Sequence, residues 1–377
     1  MLPAPISTSS VTSAVHPALC VSTPGRVCLF GEHQDYLQLP VIPCAISLRI
    51  AIEGKYRSDR TVKINLPDIA SAESFSLEGP LHYTVERDYF RSVVNVVRRA
   101  GMTFSCGFDC TVRGRIPINA GTSSSSALIV TWVNFLARMS DQHKELPPGE
   151  IARLAHAAEV LEFNEPGGMM DHYSTAFGGV IAIDFYPHIA IERLDAPLKT
   201  IVLGDSREPK DTKGILARVK NQVLDATKKL STHHPEFSLH TVTREDLDRY
   251  RMEISESQLS LLRGTIQNRD ITRLAKSMLR ERPLDHRQIG RLLSEHQAIL
   301  RDVLQISTPK IDGMIDAALN AGAYGGKING SGGGGCMFVY APEHPENVAL
   351  AIKEAGGSAY ILDPDTGTRL EMTELAG

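Results

Sequence analysis

The chain has 377 residues, 42% hydrophobic and 22% charged, with a formal net charge of −4. That length exceeds the usual size of one hydrophobic core, so two domains are expected. The charge balance lacks the basic surplus of a nucleic-acid binder, and no run approaches the ~18 uninterrupted apolar residues of a membrane span. Six cysteines are scattered without a Cys-x-x-Cys pair, which argues against a zinc site or a thioredoxin-like motif and for free thiols in a reducing compartment.

The N-terminal "MLPAPISTSSVTSAVHPA" has neither the basic start nor the apolar run of a signal peptide. It reads as a flexible lead-in, and the protein is expected in the cytoplasm. Residues 18–30 and 41–53 follow as a strand pair. The first strand runs into "PGRVCLFGEHQDY", where an apolar run is bracketed by Arg26 in front and by Glu32, His33 and Asp35 behind. Residues 88–100 have helical spacing, and 108–114 alternate like a strand. A polar turn at 117–122 precedes a long apolar helix. Another helix spans 148–163 and ends near Pro166, and 178–185 form a buried strand.

After about residue 195 the texture changes. A strand at 198–205 is followed by helices at 210–229, 256–281, 284–304 and 308–321. A glycine-rich loop, a helix at 346–355 and a strand at 358–363 close the chain. Strands and helices mix without regular βαβ alternation, which points to an α+β fold divided near 190–200.

Two loops of small residues stand out. "PINAGTSSSSAL", Pro117 to Leu128, places four serines at the start of an apolar helix. A helix N-terminus offers unpaired N–H groups and a positive dipole end, which suits phosphate. A single serine would suffice for an N-cap. Four favour phosphate binding. "NGSGGGGC", Asn329 to Cys336, contains a literal G-x-G-x-x-G but leads into the strand-like "CMFVYA", so it is no dinucleotide fingerprint. Its tight framing suggests close packing against a ligand or another loop rather than a linker. A third segment, "AAEVLEFNEPGGMMDHYSTAFGG", carries Glu159, Glu162, Glu165 and Asp171. Asp171 reads equally as a chemically active acid or as the N-cap of a helix over "HYSTAF".

Taken together, "PGRVCLFGEHQDY", "PINAGTSSSSAL" and "KINGSGGGGCMFVY" resemble, in order, the three motifs of the GHMP small-molecule kinases, named for galactokinase, homoserine kinase, mevalonate kinase and phosphomevalonate kinase. The resemblance spans Val21 to Phe338. Within the superfamily it is nearest to galactokinase, through Arg26 and the string Gly31 to Tyr36.

This resemblance implies a ribosomal-protein-S5-like N-terminal domain (1–195) and a ferredoxin-like C-terminal domain (196–377), with the active site in the cleft between them. It implies ATP-dependent phosphorylation of a sugar hydroxyl, with ATP and Mg2+ as cofactors and a monomer or weak homodimer as the working form. It assigns Asp171 as base or orienting group and Arg26 as its partner. Glu32, His33, Asp35 and Gly168 would bind the sugar. Gly121, Thr122, Ser123, Ser124, Ser125 and Ser126 would wrap the ATP phosphates, with Ser125, or Ser124 in its place, and Glu159 at the magnesium. Gly332, Gly333 and Gly334 form the third-motif loop.

Leu37 and Leu39 depart from the galactokinase pattern after Tyr36, and Gly167 stands where that family often has Cys. The segment "GDSREPKDTKGILARVKNQV" is more similar to mevalonate kinases. A kinase for a non-sugar alcohol and a catalytically silent sugar sensor are the competing expectations.

Overall fold

The computed structural model describes residues 18–118, 120–165, 167–209 and 212–371. The N-terminal lead-in and Pro166, the expected end of a helix, lie outside them.

Strand β1 (Leu19–Phe30) pairs antiparallel with β2 (Ile42–Tyr56), as expected from the sequence. The apolar run in β1 has a specific cause. Side chains alternate across a strand: Val27 and Leu29 face one core cluster while Cys28 faces the other. The strand is buried on both faces, so it shows no polar alternation.

A hairpin of β3 (Thr61–Leu66) and β4 (Ser71–Ser76) follows, then helix α1 (Tyr89–Arg99) and strand β5 (Phe108–Gly114). Helix α2 (Ser124–Met139) is buried along most of its length. The helix expected over 148–163 is instead α3 (Pro148–His156) continued by a π turn at Ala157–Leu161. Helix α4 (Met170–Phe177) and strands β6 (Val180–Asp184) and β7 (Ala190–Leu194) complete this half.

The second half contains β8 (Ile201–Asp205), α5 (Thr212–His233), α6 (Glu256–Arg280), α7 (His286–Asp302) and α8 (Pro309–Asn320). It ends with β9 (Gly325–Asn329), β10 (Cys336–Tyr340), α9 (Pro345–Glu354), β11 (Ser358–Leu362) and β12 (Arg369–Glu371). Four strands form an antiparallel sheet in the order β11-β8-β10-β9. The others form one eight-stranded sheet, with β6 and β7 branching from β2 and a parallel β3–β5 pair within it.

Strand β12 corrects the simple division at residue 195. It returns across the molecule to pair with β1, Val21 opposite Leu370, and so supplies the edge of the first half's sheet. Arg49 fastens this return segment, bonding the Asp365 carboxylate at 2.8 Å and the Gly367 carbonyl at 2.8 Å. Behind the site the halves are continuous: one core cluster takes residues from β1 and β2 together with α5, α6, α7 and the second sheet.

Candidate active site

The first motif leaves β1 at Gly31 and makes a tight turn that ends in a 3-10 turn at Asp35–Leu37. Its side chains share a cleft with the N-terminus of α2, the π turn, the start of α4 and the loop after β9. Arg26, Glu32, His33, Asp35, Ser125, Ser126, Glu159, Gly168, Asp171 and Ser331 all line it. Three separate sequence motifs therefore meet in one place.

Gly121 is the junction. Its carbonyl accepts hydrogen bonds from the Arg26 guanidinium and, at 2.8 Å, from the Asn329 side-chain amide. Asn329 also accepts the Cys28 backbone N–H at 2.8 Å. A Cβ at Gly330 would sit 3.0 Å from the Gly121 Cα, so the two loops meet backbone to backbone.

Arg26 is almost fully buried and binds Asp171 through two nitrogens, Nε at 2.8 Å and a terminal nitrogen at 2.7 Å. Burial alone would raise the Asp171 carboxyl; the Arg26 charge and hydrogen bonding to the carboxylate together outweigh it and hold that carboxyl below its ordinary range. Asp171 is not the cap of its helix. Met169 occupies the N-cap position, and Asp171 lies in the first turn, where the helix dipole also favours a negative charge.

Asp35 is half-buried in the same cleft and behaves oppositely. Burial and the neighbouring Asp171 charge push its carboxyl up to about 6. Its oxygens accept from the Tyr36 N–H at 2.9 Å and, weakly, from the Met170 N–H at 3.5 Å. Gly168 lies directly beneath it: a Cβ there would fall 1.8 Å from Asp35 Oδ2. Glycine at 168 is thus a requirement of the carboxylate's position.

Glu32 and His33, expected to contact substrate, are largely used within the protein. Lys327 Nζ binds Glu32 Oε2 at 2.7 Å, the Cys28 carbonyl at 2.9 Å and the Ile328 carbonyl at 2.8 Å. Both members of this ion pair are buried. His33 Nε2 donates to the Ser331 carbonyl at 3.0 Å, which leaves Nδ1 to accept from the Tyr36 hydroxyl at 2.8 Å. Burial lowers the His33 pKa and favours this neutral form. Both residues line the cleft, but their bonds hold the turn against the third motif.

At the other end, Glu159 sits in the π turn, a helix irregularity common at functional sites. Its Oε2 accepts from His172 Nε2 at 2.8 Å. Burial raises the Glu159 carboxyl, but His172 and the nearby Ser126 and Ser125 hydroxyls bring it below its ordinary value. Ser125 is exposed to the cleft and Ser126 also lines it; Gly121, Thr122, Ser123 and Ser124 do not. Thr122 is fully buried and its carbonyl accepts the Arg26 N–H at 3.2 Å, so this part of the loop serves the framework. Gly332, Gly333 and Gly334 also stay out of the cleft. The Gly333 N–H bonds the Ile306 carbonyl at 2.8 Å, and Gly334 packs against Pro209. The loop is tight because it packs on other loops.

Sequence reasoning missed Lys327, Asn329 and His172. The first two carried a usable signal: polar residues at i and i+2 in a short strand that is buried throughout need partners on one face. Gln34, polar and set between His33 and Asp35, is only 1% exposed. Arg87 and Glu165, paired at 2.7 Å, form part of the cleft wall with Tyr89.

A cleft with a paired acid, a second acid, hydroxyls at a helix start and a buried Glu–His pair suits transfer of a phosphoryl group to an alcohol. Family models describing the GHMP kinases' N terminal domain and C terminal region match residues 88–179 and 266–358, and a galactokinase galactose-binding signature matches residues 11–55. The mevalonate kinase of Thermococcus onnurineus is 30% identical over 93% of this chain and 97% of its own. The galactokinase of a Roseiflexus species is 31% identical over 85% of this chain and 83% of its own. The structure of Lactococcus lactis galactokinase complexed with galactose superimposes with a TM-score of 0.83 at 22% identity, covering 96% of this chain and 97% of that one. Sequence, motif order and fold agree, and the chain is a member of the GHMP kinase family, enzymes that take phosphate from ATP.

Proposed function

We propose that this kinase phosphorylates a hydroxyl of a small sugar, the anomeric 1-hydroxyl of galactose or a close relative being the first candidate. The observation that carries the reading is the Arg26–Asp171 pair. Asp171 stays ionised at neutral pH and keeps 30% of its side chain exposed toward the cleft. It can orient an acceptor hydroxyl and take its proton as the new O–P bond forms. Arg26 offsets the charge that develops at the transferred phosphate. Asp35 and the backbone around Gly168 provide acceptors and donors for neighbouring hydroxyls. Support for a sugar comes from the galactose-binding signature over residues 11–55.

Magnesium fits the residues present. Ser125 and Glu159 bring hard oxygen donors to the same end of the cleft, as this ion prefers, and one Glu159 oxygen remains beyond the His172 bond. These two residues would hold the ion, which when bound neutralises phosphate charge. The start of α2 would offer its unpaired N–H groups to the phosphates of ATP.

Mevalonate or a cyclitol is the second reading. The similarity to the Thermococcus mevalonate kinase, over nearly the whole of both chains, favours it. A coupled ADP-release screen over galactose, N-acetylgalactosamine, arabinose, fucose, uronic acids, inositol and mevalonate separates the two. The sugar reading predicts turnover with one of the sugars; turnover with mevalonate alone overturns it.

A further inference from the structure

Gln34 is the one uncharged polar residue between His33 and Asp35 in the first-motif turn, and it is 1% exposed. Its side-chain N–H donates to the Thr265 carbonyl of α6 at 3.1 Å. Its Oε1 has no hydrogen-bond partner. Asn268 stands one helical turn after Thr265 and is 1% exposed, with neither side-chain polar atom partnered. His296, on α7, is fully buried and stacks on Phe30 of β1 with ring centroids 6.1 Å apart. Neither of its ring nitrogens has a partner, although the Leu29 backbone approaches one.

Five buried polar atoms on three side chains are therefore unpartnered where α6 and α7 meet the first motif. Buried polar groups are almost always hydrogen-bonded, to protein or to ordered water. A buried water usually needs two to four such partners. Gln34 is flanked by His33, which holds Ser331, and by Asp35, which faces the cleft.

We propose that Gln34, Asn268 and His296 enclose an internal seam of ordered water, and that Gln34 is a positioning residue that fixes the acceptor-binding turn to the second half through it. The seam sets the placement of Asp35 and does not touch the phosphate end. The inference rests on the cleft being the acceptor site, whichever alcohol that acceptor is.

Two variants test it. Gln34→Met keeps the length of the side chain and removes its hydrogen bonds. It should raise the acceptor KM about tenfold, the equivalent of one hydrogen bond to a buried group, with the ATP KM and kcat within about twofold of the wild type. An unchanged acceptor KM, or equal losses for both substrates, would overturn the positioning role. His296→Phe preserves the stack on Phe30 and deletes both nitrogens, and its thermal melt is read without any substrate. A lower melting temperature supports the hydrated seam, because bound water loses its partners; a higher one shows the site to be dry and overturns it. The melt also judges the seam separately from the proposed reaction.

Discussion

Asp171 and Asp35 are two aspartates in one cleft, each raised by burial, and they end on opposite sides of the ordinary carboxyl value. Arg26 accounts for the difference. It places two nitrogens on Asp171, while Asp35 accepts backbone N–H groups and is pushed up by burial and by the Asp171 charge. The lesson is that the cleft separates two tasks that one residue type could perform. A carboxylate held ionised is ready to orient a nucleophile or accept its proton. One poised near 6 binds hydroxyls and responds to its surroundings.

The strongest way to break the comparison is Asp171→Asn. The amide still accepts a bond from Arg26 but cannot take a proton, so kcat should fall by about two to four orders of magnitude, measured by ADP release with the accepted alcohol. Turnover that survives would remove Asp171 from its role. Next in size is Lys327→Met. It leaves Glu32 as an unpaired buried charge, a loss of about 3–5 kcal/mol in typical cases, read by urea denaturation. Gly168→Ala acts on Asp35 alone: the new methyl collides with the carboxylate, and acceptor KM should rise about tenfold or more, in line with the cost of a displaced hydrogen-bond partner, while ATP KM stays near the wild-type value.

The smallest effect is on stability. A carboxyl raised in the folded state makes ionisation unfavourable there. Stability therefore falls as pH rises from 3.8 to about 6, and the loss persists above that range. Asp35→Asn removes the penalty and should raise the melting temperature by a few degrees at pH 8, with no gain at pH 3, while weakening acceptor binding. A melting temperature unchanged at both pH values would contradict the raised pKa.

Local patterns made much of this legible in the sequence. The α2 helix over 124–139 and the β5 strand over 108–114 fall where periodicity puts them. The three motifs predicted one cleft because their spacing matches a known family. What escaped has a common physical cause. The β4 strand "SAESFS" is mostly exposed and lacks an apolar face, and β12 has three residues whose place is set by pairing with β1 at the far end of the chain. Glu32 finds Lys327 across 295 residues, so the sequence near Glu32 could show an acid without showing that it is paired. Gln34 has polar neighbours in the sequence, yet its hydrogen-bond partner Thr265 lies on α6, 231 residues away. Roles that depend on one strand or one helix start were readable; roles that depend on which distant element covers a side chain were not.

The most direct measurement is a carboxyl NMR titration of the protein carrying 13C-labelled aspartate, with resonances assigned by Asp35→Asn and Asp171→Asn. The account predicts that the Asp35 signal titrates near 6 and moves to lower pH in Asp171→Asn, while the Asp171 signal stays ionised to below its ordinary value of 3.8. Two aspartates titrating together near 4, with Asp35 indifferent to the loss of Asp171, would contradict it.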